Sequence, residues 1–247
     1  MGAAIDVLDP KKPKRMAVVA SNPAMSKQTG WPIGFWWSEL SHSYWEFVEH
    51  GYEVSFFSPE GGKVEPDGWS DPRDESKYSA HDLISMGFLN SPAHMALLEN
   101  TKAIGELKVP EFTAILFVGG QGPMYTFYDN PRVHELAASF YRAGKITAVL
   151  CHATCLLLKA KLDGKLLVDG KTWTGFANSE EDYADDFVGK RIQPFRIEDE
   201  AKKLAGTNFV VSGRFKAHAL RDGNLITGQQ QYSGTAVARL VIEALGV

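Results

Sequence analysis

The chain has 247 residues, of which 44% are hydrophobic and 23% charged, a composition that lets one domain bury about three quarters of its unfolded surface without a disulfide or metal. A formal net charge of −4 leaves no concentrated basic surface and argues against nucleic acid as a partner, and no apolar run reaches the ~18 residues that suggest a membrane span. The two cysteines, Cys151 and Cys155, are too few and too close together for a disulfide scaffold, so a reducing, cytoplasmic setting is expected.

In chain order, Lys11, Lys12, Lys14 and Arg15 surround Pro13 in a stretch without the apolar core of a secretory signal, and residues 1–14 read as a solvated tail. Residues 15–21 predict a buried strand. Residues 35–50 carry apolar side chains at helical spacing, with Gly51 placed to end the helix. A second strand over 53–58 is closed by Pro59 and Gly61-Gly62, and the polar stretch 60–80 reads as a surface loop. Ser91-Pro92 opens a helix, with Ser as cap and Pro at its first position. Residues 112–118 are the clearest buried strand and run into Gly119-Gly120-Gln121-Gly122. A helix over 131–143, a strand over 146–150 and a helix over 153–160 follow. Strand signals recur at 171–174, 209–212 and 225–227, with Asp222-Gly223 as a hairpin turn, and residues 235–245 predict a terminal helix. Strands alternating with helices predict an α/β fold: one domain over 1–247, with a mostly parallel sheet covered by helices on both faces.

Four segments carry chemistry. In ITAVLCHATCLLLKA an apolar strand ends at Cys151 and a helix-forming run begins at once. A nucleophile there projects from the sheet end, and the positive potential and free N–H groups of the helix start lower the thiol pKa. His152 supplies a proton carrier that titrates near neutrality. The plainer reading of Cys151 is a small buried apolar residue. Gly119-Gly120-Gln121-Gly122 after a strand suits a turn that offers N–H groups to an oxyanion, and suits an ordinary tight turn equally well. It lacks the glycine spacing of a dinucleotide site. Glu39, in the aromatic segment Phe35-Trp36-Trp37-Ser38-Glu39, is expected to be desolvated and to keep its proton; an exposed helix glutamate is the alternative. In Glu180-Glu181-Asp182 one acid can orient His152, or all three can form an acidic first turn of a helix. Trp36 and Tyr125 lie near these segments as possible substrate contacts, although aromatics belong more often to the core. The histidines His42, His50, His81, His94 and His134 are scattered, so neither a metal nor a cofactor is expected.

Together these segments resemble the ThiJ/PfpI superfamily, also called class I glutamine amidotransferase-like, and within it the branch of heat-shock chaperones and glyoxalase III enzymes. FVGGQGPMYTFYDNP, AVLCHATC, GKTWTGFANSEE and LITGQQQYSGTAVARLVIEAL carry the resemblance. It implies a flavodoxin-like three-layer sandwich with a nucleophile elbow. Cys151 takes the position of the nucleophile, His152 of its partner, Glu181 of the acidic third member, and Glu39 of the acid that contacts the sulfur. Gly120 and His152 would offer the oxyanion N–H groups, with Gln121 and Gly122 in the same turn. The chain departs from the branch at Gln121, where His is usual, at Ala153, where Gly is usual, and at Gln229-Gln230-Gln231-Tyr232, where Gly-Gln-Asn-Pro is usual. No late His-x-Glu pair accompanies Cys151, so glutamine hydrolysis is not expected.

The implied activity is conversion of a small reactive carbonyl such as methylglyoxal to a 2-hydroxy acid, with no cofactor. The alternatives are a hydrolase or lyase for a bulkier substrate and a stress-protective holdase or redox sensor. The aromatic stretch 31–37 is more apolar than one helix face needs and, with the resemblance, predicts a homodimer.

Overall fold

The structure, a computed structural model, describes residues 14–246. The tail read over 1–14 lies, except for Lys14, outside the described residues. The central sheet has seven strands: β1 (Arg15–Val19), β2 (Glu53–Ser58), β3 (Lys102–Ala103), β4 (Ala114–Phe117), β5 (Ile146–Leu150), β6 (Ala219–Asp222) and β7 (Leu225–Gly228). Their order is β6-β7-β5-β4-β1-β2-β3, and every neighbouring pair is parallel except the β6–β7 hairpin. Asp222 pairs with Leu225 across Gly223, the turn expected there.

All residues of β4 and β5 are buried. A strand with no solvent-facing residue needs cover on both faces, which is why these strands read as largely apolar runs, broken in β5 only by the buried Thr147. The cover comes from α1 (Trp37–Glu49), α2 (Leu83–Leu89), α3 (Pro92–Glu99), a short α4 (Pro123–Thr126), α5 (Pro131–Arg142), α6 (Asn178–Val188), α7 (Ile197–Lys202) and α8 (Gly234–Ala244). Helices α1 and α8 pack together, with α8 against β5 and β7, while α5 packs on β4 and β5. Ser91 caps α3 by accepting from the His94 N–H, as its sequence position suggests. The architecture is flavodoxin-like α/β, and the strand order reverses between β1 and β4. The C-terminal strand ends at such a switch point form the natural crevice of this fold.

Several local expectations are corrected. Helix α1 begins at Trp37, because Phe35 bridges to Pro66 and the Trp36 N–H donates to the Gly119 carbonyl at 3.1 Å. Stretch 60–80 is not wholly surface: Val64, Asp67 and Ser70 are buried. The segment after β5 is a 3-10 helix over Cys151–Leu158. Three residues per turn point Cys151 and Cys155 in different directions. Cys155 is fully buried, with its sulfur 3.5 Å from the Pro123 carbonyl. The strand signals at 171–174 and 209–212 form a separate parallel pair, Thr172–Trp173 with Asn208–Phe209. The aromatic stretch 31–37 is largely used inside the chain. Phe35 and Trp37 are buried edge to face at 5.0 Å, and Trp37 meets Phe88 at 5.6 Å. The apolarity that suggested a dimer therefore builds core. Among the described residues no helix is long and apolar enough to cross a membrane.

Ile115 is fully buried in β4. Ile115→Ala is expected to lower the unfolding free energy by about 2–5 kcal/mol, measured by urea denaturation.

Candidate active site

The end of β5 delivers Cys151 into a left-handed conformation, φ 58°. This conformation is uncommon for a residue with a Cβ, and a sharp strand-to-helix elbow requires it here. The Thr154 hydroxyl donates to the Cys151 carbonyl at 2.6 Å and ties the elbow from below. The sulfur faces His152 Nδ1 at 3.4 Å, and His152 Nε2 meets Glu181 Oε1 at 3.0 Å. The imidazole is clamped against Phe176, 4.0 Å between ring centres and nearly parallel. Glu181 stands in the first turn of α6 beside Glu180, and both are buried. They divide the work. Glu180 accepts from the N–H groups of Ala177 and Phe215, each at 3.0 Å, and from Gln229 Nε2 at 2.8 Å. It is a structural anchor, which leaves Glu181 to face the histidine.

The end of β4 supplies the second wall. Gly119 donates its N–H to Glu39 Oε2 at 2.7 Å. A Cβ on Gly119 would lie 2.7 Å from Cys151 Cβ, from Glu39 Oε2 and from the Leu150 carbonyl oxygen, so only glycine lets the three segments meet. Gly120, at φ 104°, passes so close to the chain at Gly34–Trp36 that a Cβ would fall 2.6 Å from the Gly34 oxygen. The backbone N–H groups of Gly120 and His152 act on the sulfur and favour its thiolate. Gly122 is different: its N–H is engaged by the Gly34 carbonyl at 2.8 Å, and it starts α4. It is thus not a substrate donor. Tyr125 also departs from expectation. Its hydroxyl bonds Ser26 and Gln28, and its side chain is absent from the pocket wall. Gln121 and Trp36 do line the pocket with Cys151, His152 and Glu181.

Sequence reasoning passed over Asp67. It sits in the polar stretch taken for a surface loop, yet its carboxylate accepts from the Gly34 N–H at 2.9 Å and the Gln121 N–H at 2.6 Å. It thereby pins the entry of α1 and the glycine turn to one point. A lone Asp among Gly and Pro gives no local signal of this. The aromatic wall from Trp69, Tyr78, Tyr183, Phe187 and Phe215, with Gln193 among it, was likewise unforeseen, while Gln231, one of the departures from the branch, does line the pocket.

Burial governs the titration of the cluster. Desolvation raises Glu39 to about 7, outweighing the Cys151, Gly119 and His152 groups that favour its anion. Desolvation raises Asp67 to about 7 in the same way, against its two backbone N–H donors. For His152 burial favours the neutral ring, but the Glu181 carboxylate prevails and lifts it above its ordinary value. The thiol reverses the expectation drawn from its place before a helix. Burial pushes Cys151 well above the usual thiol range, a Glu39 carboxylate pushes it further, and the Gly120 and His152 N–H groups pull only partly back. The push from Glu39 exists only while Glu39 is ionised. Its Oε1, buried and without a hydrogen-bond partner, is the oxygen available to carry a proton beside the sulfur. Among the described residues no group of three or more His, Cys, Asp or Glu is arranged to hold a metal.

A family model described as DJ-1/PfpI family matches residues 35–244. The chain is 26% identical to the glutathione-independent glyoxalase HSP31 of Saccharomyces cerevisiae, over 84% of this chain and 87% of that protein. Among solved structures, the Rapid Encystment Protein 24 kDa of Francisella tularensis superposes with a TM-score of 0.82 at 24% identity, covering 94% of this chain and 98% of that one. Glyoxalase III from Candida albicans superposes with a TM-score of 0.75 at 21% identity, covering 93% and 96%.

With Glu39 and Asp67 both titrating at about 7, the native state holds protons that the unfolded chain has already released above the ordinary carboxylate range. Their contribution is therefore complete at low pH and is lost as pH rises through about 7. Glu39→Gln removes one of the two titrations. It should flatten the fall in unfolding free energy between about pH 5 and about pH 8 by up to about 3 kcal/mol, measured by denaturant unfolding across that range.

Proposed function

Taking as premise that the chain belongs to the DJ-1/PfpI family, we propose that it is a cysteine-dependent, glutathione-independent glyoxalase-like enzyme, which turns a 2-oxoaldehyde and water into a 2-hydroxy acid. The observation that carries this reading is the unbroken line from Cys151 Sγ through His152 to Glu181, opening into a pocket with Glu39 beside the sulfur. The name of the yeast relative supports the reaction type.

The geometry suits such a reaction step by step. Because burial holds the thiol neutral, the nucleophile has to be activated as it attacks. Glu181 accepts the Nε2–H of His152 and so leaves Nδ1 as the base that faces Sγ at 3.4 Å. As sulfur bonds to the aldehyde carbon, its proton passes to Nδ1, and the carbonyl oxygen becomes an oxyanion close to the Gly120 and His152 N–H groups. Protonation of that oxygen gives a hemithioacetal. The hydrogen on the former aldehyde carbon then leaves as a proton to a base of the site, while the neighbouring ketone oxygen gains one, giving an enediol. Return of a proton to the second carbon, while the hydroxyl on the sulfur-bearing carbon gives up its own proton to a base of the site, yields the thioester of a 2-hydroxy acid. Water cleaves its C–S bond and restores the thiol. The rearrangement is internal and redox-neutral, so it needs no hydride acceptor. Glu39, titrating at about 7, is matched to giving and taking protons near neutrality.

Cys151→Ala is expected to abolish lactate formation from methylglyoxal in the absence of glutathione. Glu39→Ala is expected to lower kcat by about 10²-fold, and Glu39→Gln, which keeps a donor beside the sulfur, by less. Lactate released by the purified variants is the measurement; undiminished turnover in Cys151→Ala defeats the reading.

A further inference from the structure

The pocket is furnished differently than a three-carbon aldehyde requires, with aromatic rings and carboxamides in its wall. Trp36 meets Tyr78 edge to face at 6.0 Å, Tyr78 stacks on Trp69 at 6.1 Å, and Phe187 closes edge-on to Trp69 at 5.6 Å. Phe187 is 68% exposed, so it adds little to the core and holds its ring at the pocket mouth. A continuous aromatic wall of this kind receives a flat ring, by stacking or edge contact.

Two carboxamides stand in the same wall. Gln193 is 3% exposed and Gln121 is half-buried, both line the pocket, and the Oε1 atom of each is buried without a hydrogen-bond partner among the described residues. A buried polar atom left unpaired is costly, and a ligand donor that reaches it recovers that cost. No Lys or Arg lines the pocket, and its one carboxylate, Glu181, is engaged by His152. An anionic substituent would find no cation there and would lie near the Glu39 and Asp67 carboxyls behind the glycine turn.

Resting on the glyoxalase-like reading, we propose that the preferred substrates are uncharged aryl 2-oxoaldehydes, whose ring lies along Trp36, Tyr78, Trp69 and Phe187 and whose ring hydroxyl or N–H donates to the Gln121 and Gln193 carboxamides. The two-carbon reacting end reaches Cys151 as methylglyoxal would.

The test compares kcat/KM for 4-hydroxyphenylglyoxal, phenylglyoxal, methylglyoxal and 4-carboxyphenylglyoxal, in that expected order of preference. Gln193→Leu should reduce the 4-hydroxyphenyl-to-phenyl ratio about 10-fold, and Phe187→Ala should reduce the phenyl-to-methyl ratio by a similar factor, each equivalent to about 1.4 kcal/mol. In parallel, 4-hydroxyacetophenone, which has no aldehyde, is titrated into Cys151→Ala with tryptophan fluorescence as the readout. Saturable quenching that weakens in Gln193→Leu supports the aryl pocket independently of turnover. Methylglyoxal turned over as well as the aryl substrates, or ratios unmoved by both variants, overturns the inference and leaves the glyoxalase-like reading standing. Saturable ketone binding with no turnover of any oxoaldehyde overturns that reading and supports the aryl pocket.

Discussion

The hydrogen bond from the Gly119 N–H to the buried Glu39 carboxyl, 2.7 Å long, is the constraint on which the site depends. It joins the C-terminal end of β4 to the first turn of α1 at the point where β5 ends in Cys151. Because Gly119 has no side chain, the elbow, the carboxyl and the strand end can close to within a Cβ of one another. Everything that bears on the sulfur is referred to this junction. The Gly120 N–H follows one residue later, Trp36 precedes Glu39 by less than one helical turn, and Asp67 fastens the same turn from outside through Gln121.

Such packing places carboxyls where water does not reach them, and their titration changes accordingly. Glu39 and Asp67 both rise to about 7 under desolvation, while Glu181, bonded to His152, serves as the fixed partner of an imidazole. Acids far apart in sequence thus take different roles. One holds a proton beside the nucleophile, one pins backbone, and one sets the tautomer of the histidine. Environment rather than residue type assigns them.

The elbow stores backbone strain for the same end. A cysteine at φ 58° persists because its neighbours over-determine it: β5 pairs on both sides, Thr154 holds the carbonyl, and Phe176 fixes the adjacent imidazole. Relaxing the elbow would turn the sulfur away from His152 Nδ1.

What the sequence determined by itself was local and periodic. Largely apolar runs at 112–118 and 146–150 announced buried parallel strands, Ser91-Pro92 a helix start, Asp222-Gly223 a hairpin, and the passage from strand directly to Cys151-His152 an elbow. These features follow from neighbours in the chain, so pattern suffices. Glu39 and Glu181 were placed by resemblance to a family, because nothing within their own helices says which buried group they face. Asp67 was read as loop, and Gly122 and Tyr125 as site residues, because adjacency to a motif does not reveal which N–H or hydroxyl is already engaged. The thiol shows the limit most plainly. Its position before a helix argues for a lowered pKa, and only the fold, by removing water and bringing Glu39 to the sulfur, sets the opposite direction. Desolvation and the meeting of side chains far apart in sequence are properties of packing, and packing is decided by the whole sheet.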